Sequence, residues 1–262
     1  MAGNEGLVTV TERGWRRGLR NLLRAGFADW WQTNTWWVHA LIWTGVLNLM
    51  MAGIVFSEAG AELDVVGFLS LFGGMFPVVA VVIIMQGAIV GEKQDGTAAW
   101  VLSKPVSRTA YILGKLIPNG VSMPVVMLLI PMAVGLGVLT LAGFRVDVLR
   151  FAAGFLIVSL NMLFFLSLTV MLGAVFKKRG GVIGIPLALM FGQQYLLSAF
   201  PVLRQVLPWG LVLPLGEDLG SSIATAVILG APPITWTPVF TTLVATVAFL
   251  IVGVWRFREV EL

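Results

Sequence analysis

The sequence predicts an all-α, polytopic membrane protein with six transmembrane helices, and both its composition and its uncharged runs lead to that prediction. Of the 262 residues, 58% are hydrophobic and only 11% are charged, whereas a soluble domain carries about 25% charged residues. Six runs without Asp, Glu, Lys or Arg reach the roughly 20 residues that a helix needs to cross the hydrocarbon layer of a bilayer. A soluble enzyme is therefore excluded.

An amphipathic helix is predicted over residues 12–31, ahead of the first span. Leu22 and Trp30 belong to one apolar face, while Arg17 and Arg24 lie on another. Such a helix is typical of the membrane interface, where arginines meet anionic lipid headgroups. We interpret it as an interfacial orientation anchor, and a role in gating is the alternative.

The six predicted spans follow the uncharged runs. They cover residues 36–56, 66–91, 116–142, 151–176, 181–200 and 236–255 of a single transmembrane domain, 1–262. The sixth begins near Trp236 because Pro232 and Pro233 would remove backbone hydrogen bonds from a membrane helix. Between spans five and six, the pieces 205–213 and 218–229 are too short to cross but apolar enough to dip into the membrane.

The basic residues predict the orientation of the chain. Of the 17 Lys and Arg residues, only Arg145, Arg150 and Arg204 fall on one side of the predicted spans. Because positive residues near span ends stay on the cytoplasmic side, both termini are expected in the cytoplasm. The expected location is a bacterial-type plasma (inner) membrane.

The connection between spans two and three, residues 92–115, carries the most informative pattern. From Gly91 onward it reads GEKQDGTAAWVLSKPVSRTAYILGK. Pro105 disfavours helix at the residue before it, and Ser107 is a suitable N-cap for the helix that follows. The pattern predicts two helices joined by a tight bend, and the apolar residues around Leu102 indicate that another protein covers it. The alternative is a loop buried on its own bundle.

This stretch resembles the cytoplasmic signature of permease subunits in ATP-binding cassette (ABC) exporters of the type 2 class. In that signature a Glu, a Gly-Thr, a Leu-Ser, a Pro-Val-Ser-Arg and a Gly-Lys occur in this order between the second and third spans. The resemblance implies a coupling segment over 92–115 seated on a separate ABC ATPase subunit, pairing with a second permease copy or homologue, and short re-entrant outer helices between spans five and six. The residues expected to couple to the ATPase are Glu92, Asp95, Gly96, Thr97, Leu102, Ser103, Pro105, Val106, Ser107, Arg108, Lys177, Lys178 and Arg179.

Reactive groups for catalysis are scarce, so the chain is not expected to be an enzyme. It has no Gly-x-x-x-x-Gly-Lys-Ser/Thr loop to hold ATP phosphates, and one His with no Cys leaves neither a zinc-protease helix nor a Cys–His pair. We therefore expect no cofactor in this chain, with ATP and Mg²⁺ bound by the partner subunit. The predicted spans also lack Asp, Glu, Lys and Arg, on which ion-coupled transporters usually depend.

Several residues within the spans are candidates for a pathway or a hinge. Gly87 and Gly91 form a small-xxx-small pair that permits close helix contact or bending. The polar residues either form interhelical hydrogen bonds or line a path. The ten methionines within the spans either fill apolar space or mark a route for a soft metal, and no metal site is predicted. The pathway or hinge candidates are Gln86, Gly87, Gly91, Asn161, Gln193 and Gln194.

Together these patterns predict an exporter permease that works as a dimer with ABC ATPase subunits in contact with membrane lipid. A weakly polar path favours an amphiphilic, lipid-like or peptide substrate. Nucleic acid is not an expected partner, because the basic residues lie between apolar runs. The alternatives are an ATP-driven mechanical transducer that acts on an accessory protein at the outer face, and a membrane scaffold or sensor that transports nothing.

Overall fold

The computed structural model describes residues 11–55, 62–192, 195, 200, 202–203, 206–214 and 222–259. All regular structure within these ranges is helical. The helices are α1 Leu19–Trp31, α2 Thr35–Val55, α3 Glu62–Gln86, α4 Glu92–Gln94, α5 Thr97–Leu102, α6 Arg108–Pro124, α7 Ile130–Leu141, α8 Val148–Val175, α9 Arg179–Phe191, α10 Trp209–Val212, α11 Ile223–Leu229 and α12 Thr237–Glu259. A 3₁₀ turn precedes α1, and π-helical turns join α3 to α4 and α6 to α7.

Five helical runs in the described residues are long and apolar enough to cross a membrane. They are Thr35–Val55, Val65–Gln94, Arg108–Leu141, Val148–Val175 and Thr237–Glu259. Where the fifth span was predicted, over 181–200, the structure describes α9, whose 13 residues reach about 20 Å at 1.5 Å per residue. The predicted span continues into residues 193–194 and 196–199, which lie outside the described ranges. The sixth crossing therefore stays a prediction.

The two π-helical turns lie where the sequence is rich in glycine or flanked by proline. Gly87–Gly91 forms one turn, and Val125–Leu129 forms the other between Pro124 and Pro131. Proline removes a backbone donor and distorts the helix before it, and a π turn absorbs such a distortion. A Cβ added at Gly87 would have no neighbour within 4 Å. The described residues therefore show no close helix contact at Gly87, and both the packing and the hinge interpretations stay predictions.

Helix α8 is the centre of the bundle. It is buried along most of its length and packs against α3, α11 and α12. Contacts with the short helices are close, since Cβ atoms built at Gly74 and Gly154 would overlap Val212 and Ile228. Helix α10 therefore packs closely against α3, and α11 packs closely against α8. Whether they enter the membrane as re-entrant helices stays a prediction, because residues 204–205 and 215–221 of this segment lie outside the described ranges.

The N-terminal amphipathic helix is shorter than the predicted 12–31. Gly18 adopts φ +80°, in the left-handed region that glycine occupies without strain, and the α-helix begins only at Leu19. Helix α1 then runs beside α6, with Leu22 against Gly114 and Gly26 against Pro118. The apolar face of α1, which was predicted to lie in the membrane interface, therefore packs against α6 at these positions.

Candidate functional site

The predicted bend between spans two and three is present and is closed by its own hydrogen bonds. We call residues 95–108 the elbow; within it, α5 begins after Gly96, whose φ is +75°. The Ser103 hydroxyl donates to the Trp100 carbonyl at 2.7 Å, and the Val106 amide donates to the Lys104 carbonyl at 2.7 Å. The turn therefore holds its shape without a partner.

Helix α6 starts at the predicted cap. The Ser107 hydroxyl accepts a hydrogen bond from the Ala110 amide at 2.9 Å, as expected of an N-cap. The same hydroxyl donates to the Trp15 carbonyl, and the Ser107 amide donates to the Arg17 carbonyl at 3.0 Å. The segment before α1 is thereby attached to the elbow.

The outer side of the elbow is open to solvent. Trp100 is 65% exposed, and the Lys104 amine lies 5.1 Å from its ring centroid. Ser103 and Pro105 are exposed, whereas Ala98 is fully buried and anchors α5 on the bundle. The alternative of a loop buried on its own bundle agrees with Val101, Leu102 and Val106, which pack partly buried against the core, but not with the exposed Trp100 indole. The contact with another protein stays a prediction. An apolar ring flanked by a cation projects from the end of the molecule.

Glu92 connects α4 to α6. Its carboxylate accepts hydrogen bonds from the Lys115 amine and, at 2.6 Å, from the Tyr111 hydroxyl. Tyr111 and Lys115 are one helical turn apart on α6, so both face the start of α4. Glu92 thus joins the end of the second span to the start of the third.

The remaining residues of α4 hold the end of α8. The Lys93 amine donates to the carbonyls of Gly173 at 3.0 Å, Ala174 at 3.5 Å and Phe176 at 3.2 Å. A lysine at this position satisfies orphan carbonyls and complements the negative end of the helix dipole.

The two segments expected to contact the ATPase, 92–108 and Lys177–Arg179, therefore meet at one end of the bundle. The Gln94 amide donates to the Lys177 carbonyl at 2.9 Å, and the Arg179 guanidinium donates to the Gln94 side-chain oxygen at 2.9 Å. Asp95 lies 4.0 Å from Arg179 with both side chains at least half exposed, a separation that contributes little. We call this end, where basic residues of several connections gather, the basic end.

The last helix also reaches the elbow. Arg108 donates to the Arg258 carbonyl at 2.8 Å, and the Arg258 guanidinium donates to the Thr109 hydroxyl at 2.9 Å. One turn further along α6, Tyr111 stacks on Phe257 with ring centroids 5.2 Å apart. The elbow is thus connected to α3, α6, α8 and α12.

The structure describes the surroundings of some of the predicted pathway residues. Asn161 donates to the Gly74 carbonyl at 2.7 Å between α8 and α3, which is the interhelical role weighed against pathway lining. Gln86 is 5% exposed, and its amide nitrogen has no partner in the described part of the chain. Gln193 and Gln194 lie outside the described residues. Among the residues described, no group of three His, Cys, Asp or Glu could hold a metal ion.

Two features of this site were not predicted from the sequence. The role of Lys93 depends on where α8 ends in space, and no local pattern indicates it. The contacts of Tyr111 and Lys115 with Glu92 were not predicted either, although the four-residue spacing of Tyr111 and Lys115 indicates that they share a helix face.

Comparison with models of known families gives one match. A model of the family described as ABC-2 family transporter protein matches residues 44–262. That range includes the elbow, α8 and α12 and begins within α2, so α1 is outside it. No curated protein matches the chain.

Proposed function

The chain belongs to the ABC-2 transporter family, and from this we propose that it is the membrane permease subunit of an ATP-binding cassette exporter driven by a separate ATPase subunit. The observation that carries the proposal is the elbow: a short helix with an exposed tryptophan, held rigidly between the ends of two long apolar helices. An exposed aromatic side chain with a cation beside it is the kind of anchor that protein interfaces use.

The contacts around the elbow support a mechanism of coupling. In the proposed complex the partner binds ATP and Mg²⁺, and closure of its nucleotide sites displaces α5. Because Glu92 connects α4 to α6 and Lys93 connects α4 to α8, the displacement reaches three long helices together. The basic connection Lys177–Arg179 lies beside Gln94 and forms a second contact for the ATPase in this proposal.

The cargo is proposed from the chemistry of the bundle. Among the described residues, the spans bury no Asp, Glu, Lys or Arg, and most of their buried polar side chains are Ser and Thr. The amides of Asn48 and Asn161 donate to backbone carbonyls of neighbouring helices. Such an interior favours an amphiphilic, lipid-like or peptide substrate over a sugar or a small ion. A translocation path between two permease copies completes the proposed assembly.

The test is whether a neighbouring coding region encodes a soluble ATPase with a phosphate loop, and whether that ATPase copurifies with this chain. The Trp100→Ala variant is expected to weaken the complex by about 2 kcal/mol, roughly thirtyfold in affinity, if Trp100 is an interface hot spot. Trp255→Ala is the matched control, because Trp255 is 54% exposed and lies on α12 outside the elbow.

Neither substitution should change the unfolding temperature, because more than half of each side chain makes no contact with the described part of the chain. Equal binding of the ATPase by the two variants would contradict the elbow as the interface. Absence of any ATPase that copurifies with the unmodified chain would contradict the permease proposal itself.

A further inference from the structure

An apolar groove runs along the surface of the bundle between α6 and α12, next to the basic end. Its volume is about 480 Å³. The aliphatic residues that line it are Leu113, Leu116, Leu250, Ile251 and Val254. From Leu250 to Arg258 the groove follows α12 for about 12 Å, at 1.5 Å per residue. The proposed coupling mechanism does not use this groove.

Both helices that form the groove belong to runs that are long and apolar enough to cross a membrane. The predicted sixth span ends at residue 255, so the aliphatic part of the groove lies at the depth of the acyl chains and Arg258 lies at the depth of the headgroups. Trp255, which lines the groove and is more than half exposed, stands at this boundary, where amphipathic rings are favoured. In the predicted orientation the groove therefore faces the cytoplasmic leaflet.

Arg258 closes the groove at its headgroup end and is held in place by the protein. Its Nε donates to the hydroxyl of the buried Thr109 at 2.9 Å. Within the described part of the chain, the two terminal nitrogens of this guanidinium have no acceptor. A guanidinium presents its donors in a fixed fork that matches the oxygens of a phosphate group. An anion at this end of the groove would therefore meet donors that are already oriented.

The charges around Arg258 also favour an anion. The Arg108 guanidinium donates to the Arg258 carbonyl at 2.8 Å, so two cationic side chains meet at this end of the groove. Glu259 lies on the same turn of α12, but its carboxylate is paired with Arg256 at 3.3 Å.

An aliphatic groove that ends at cationic donors is complementary to an anionic phospholipid. The acyl chain requires an apolar surface at membrane depth, and the phosphate requires basic side chains at the interface. We propose that this groove binds one anionic phospholipid, with an acyl chain between α6 and α12 and the phosphate at Arg258. Because Arg258 also donates to Thr109, the bound lipid holds the side chain that joins the last helix to the start of α6.

The experiment uses the full chain in detergent and measures lipid occupancy by native mass spectrometry. The probes are phosphatidylglycerol, phosphatidylcholine with the same acyl chains, and glycerol phosphate, which has no acyl chain. Phosphatidylglycerol is expected to bind more tightly than phosphatidylcholine. The Arg258→Gln variant should lower phosphatidylglycerol affinity about fivefold, the effect of one basic residue beside an anionic lipid. Arg258→Lys keeps the charge and should retain most of the affinity.

Matched controls separate the site from the general properties of the surface. Lys104→Gln removes one positive charge from the basic end outside the groove and should leave the affinity unchanged. Ile251→Trp fills the groove and should remove the preference for phosphatidylglycerol. Val244→Trp places the same side chain at an exposed position of α12 outside the groove and should keep that preference.

Several results would overturn the proposal. They are equal binding of the two lipids, equal affinities in Arg258→Gln and Lys104→Gln, equal losses in Arg258→Gln and Arg258→Lys, and equal preferences in Ile251→Trp and Val244→Trp. Competition by glycerol phosphate at the concentration of the lipid would assign the cations to a soluble phosphate compound. A dimer that excludes the lipid while the monomer binds it would assign the groove to a second copy of the chain, and both of these results also overturn the proposal. None of the measurements depends on an ATPase, so this test is separate from that of the transport function.

Discussion

Replacing Gly114 with alanine is expected to disrupt the contact between α1 and α6. A Cβ atom built at Gly114 lies 2.6 Å from the Cβ of Leu22, closer than real Cβ contacts allow. The Leu22 Cβ is attached directly to the backbone of α1, so a change of side-chain rotamer cannot move it away. One helix must therefore shift, and with it the segment that is hydrogen-bonded to Ser107.

The magnitude follows from a comparison with Gly120 on the same helix. A Cβ at Gly120 would meet the Leu163 Cδ2 at 3.7 Å, an ordinary contact. Both substitutions gain about 0.5–1 kcal/mol from the better helix propensity of alanine, and this gain cancels in the comparison. The two variants should then differ by the cost of overpacking alone, about 1–3 kcal/mol.

Unfolding of the full chain in detergent, followed by tryptophan fluorescence, measures the difference. Trp30 and Trp31 report on this contact because their indoles donate to Asn119 and Ser122 of α6. The Gly114→Ala variant should unfold at a lower temperature than Gly120→Ala. When both are made in a Leu22→Gly background, which lacks the clashing atom, the difference between them should shrink. If Gly114→Ala is as stable as Gly120→Ala, the close approach of α1 to α6 is refuted.

Two further substitutions test the contacts around α4. Glu92→Gln keeps an acceptor for Tyr111 but removes the ion pair with Lys115, in which both side chains are only about a quarter exposed; the expected loss in unfolding free energy is about 1–2 kcal/mol. The control Glu259→Gln removes an exposed carboxylate and should cost less than about 0.5 kcal/mol. Similar losses in the two variants would count against a stabilising role of the Glu92–Lys115–Tyr111 contacts. Lys93→Met removes the donor that caps α8 and should destabilise its last turn by about 1 kcal/mol, measured as faster amide hydrogen exchange there; unchanged exchange would show that the cap contributes nothing.

The local structure of the elbow could be predicted from the sequence, because local chemistry determines it. Pro105 interrupts the helix and Ser107 caps the next one. Gly96 occupies the left-handed region where a turn requires it. Each of these effects acts within about four residues, and the structure agrees with them.

The partners across the bundle could not be predicted, since they depend on how helices pack. The apolar stripe of α1 that includes Leu22 and Trp30 suits a lipid surface and a protein surface equally well, and only the packing shows that α6 covers it. Among the basic residues that could pair with Glu92, Lys104 and Arg108 are nearer in sequence than Lys115. The helical period places Lys115 and Tyr111 on one face of α6, but the element that packs on this face is determined by the tertiary structure.

The attachment of the elbow to four helix ends has a mechanical consequence. In the proposed coupling mechanism, a load applied at Trp100 is shared among α3, α6, α8 and α12 through Glu92, Lys93 and Arg108. The hinge interpretation then predicts that bending concentrates where the helical hydrogen bonding is already irregular, at the π-helical turns Gly87–Gly91 and Val125–Leu129. On this proposal the region that receives the load and the regions that bend are separate.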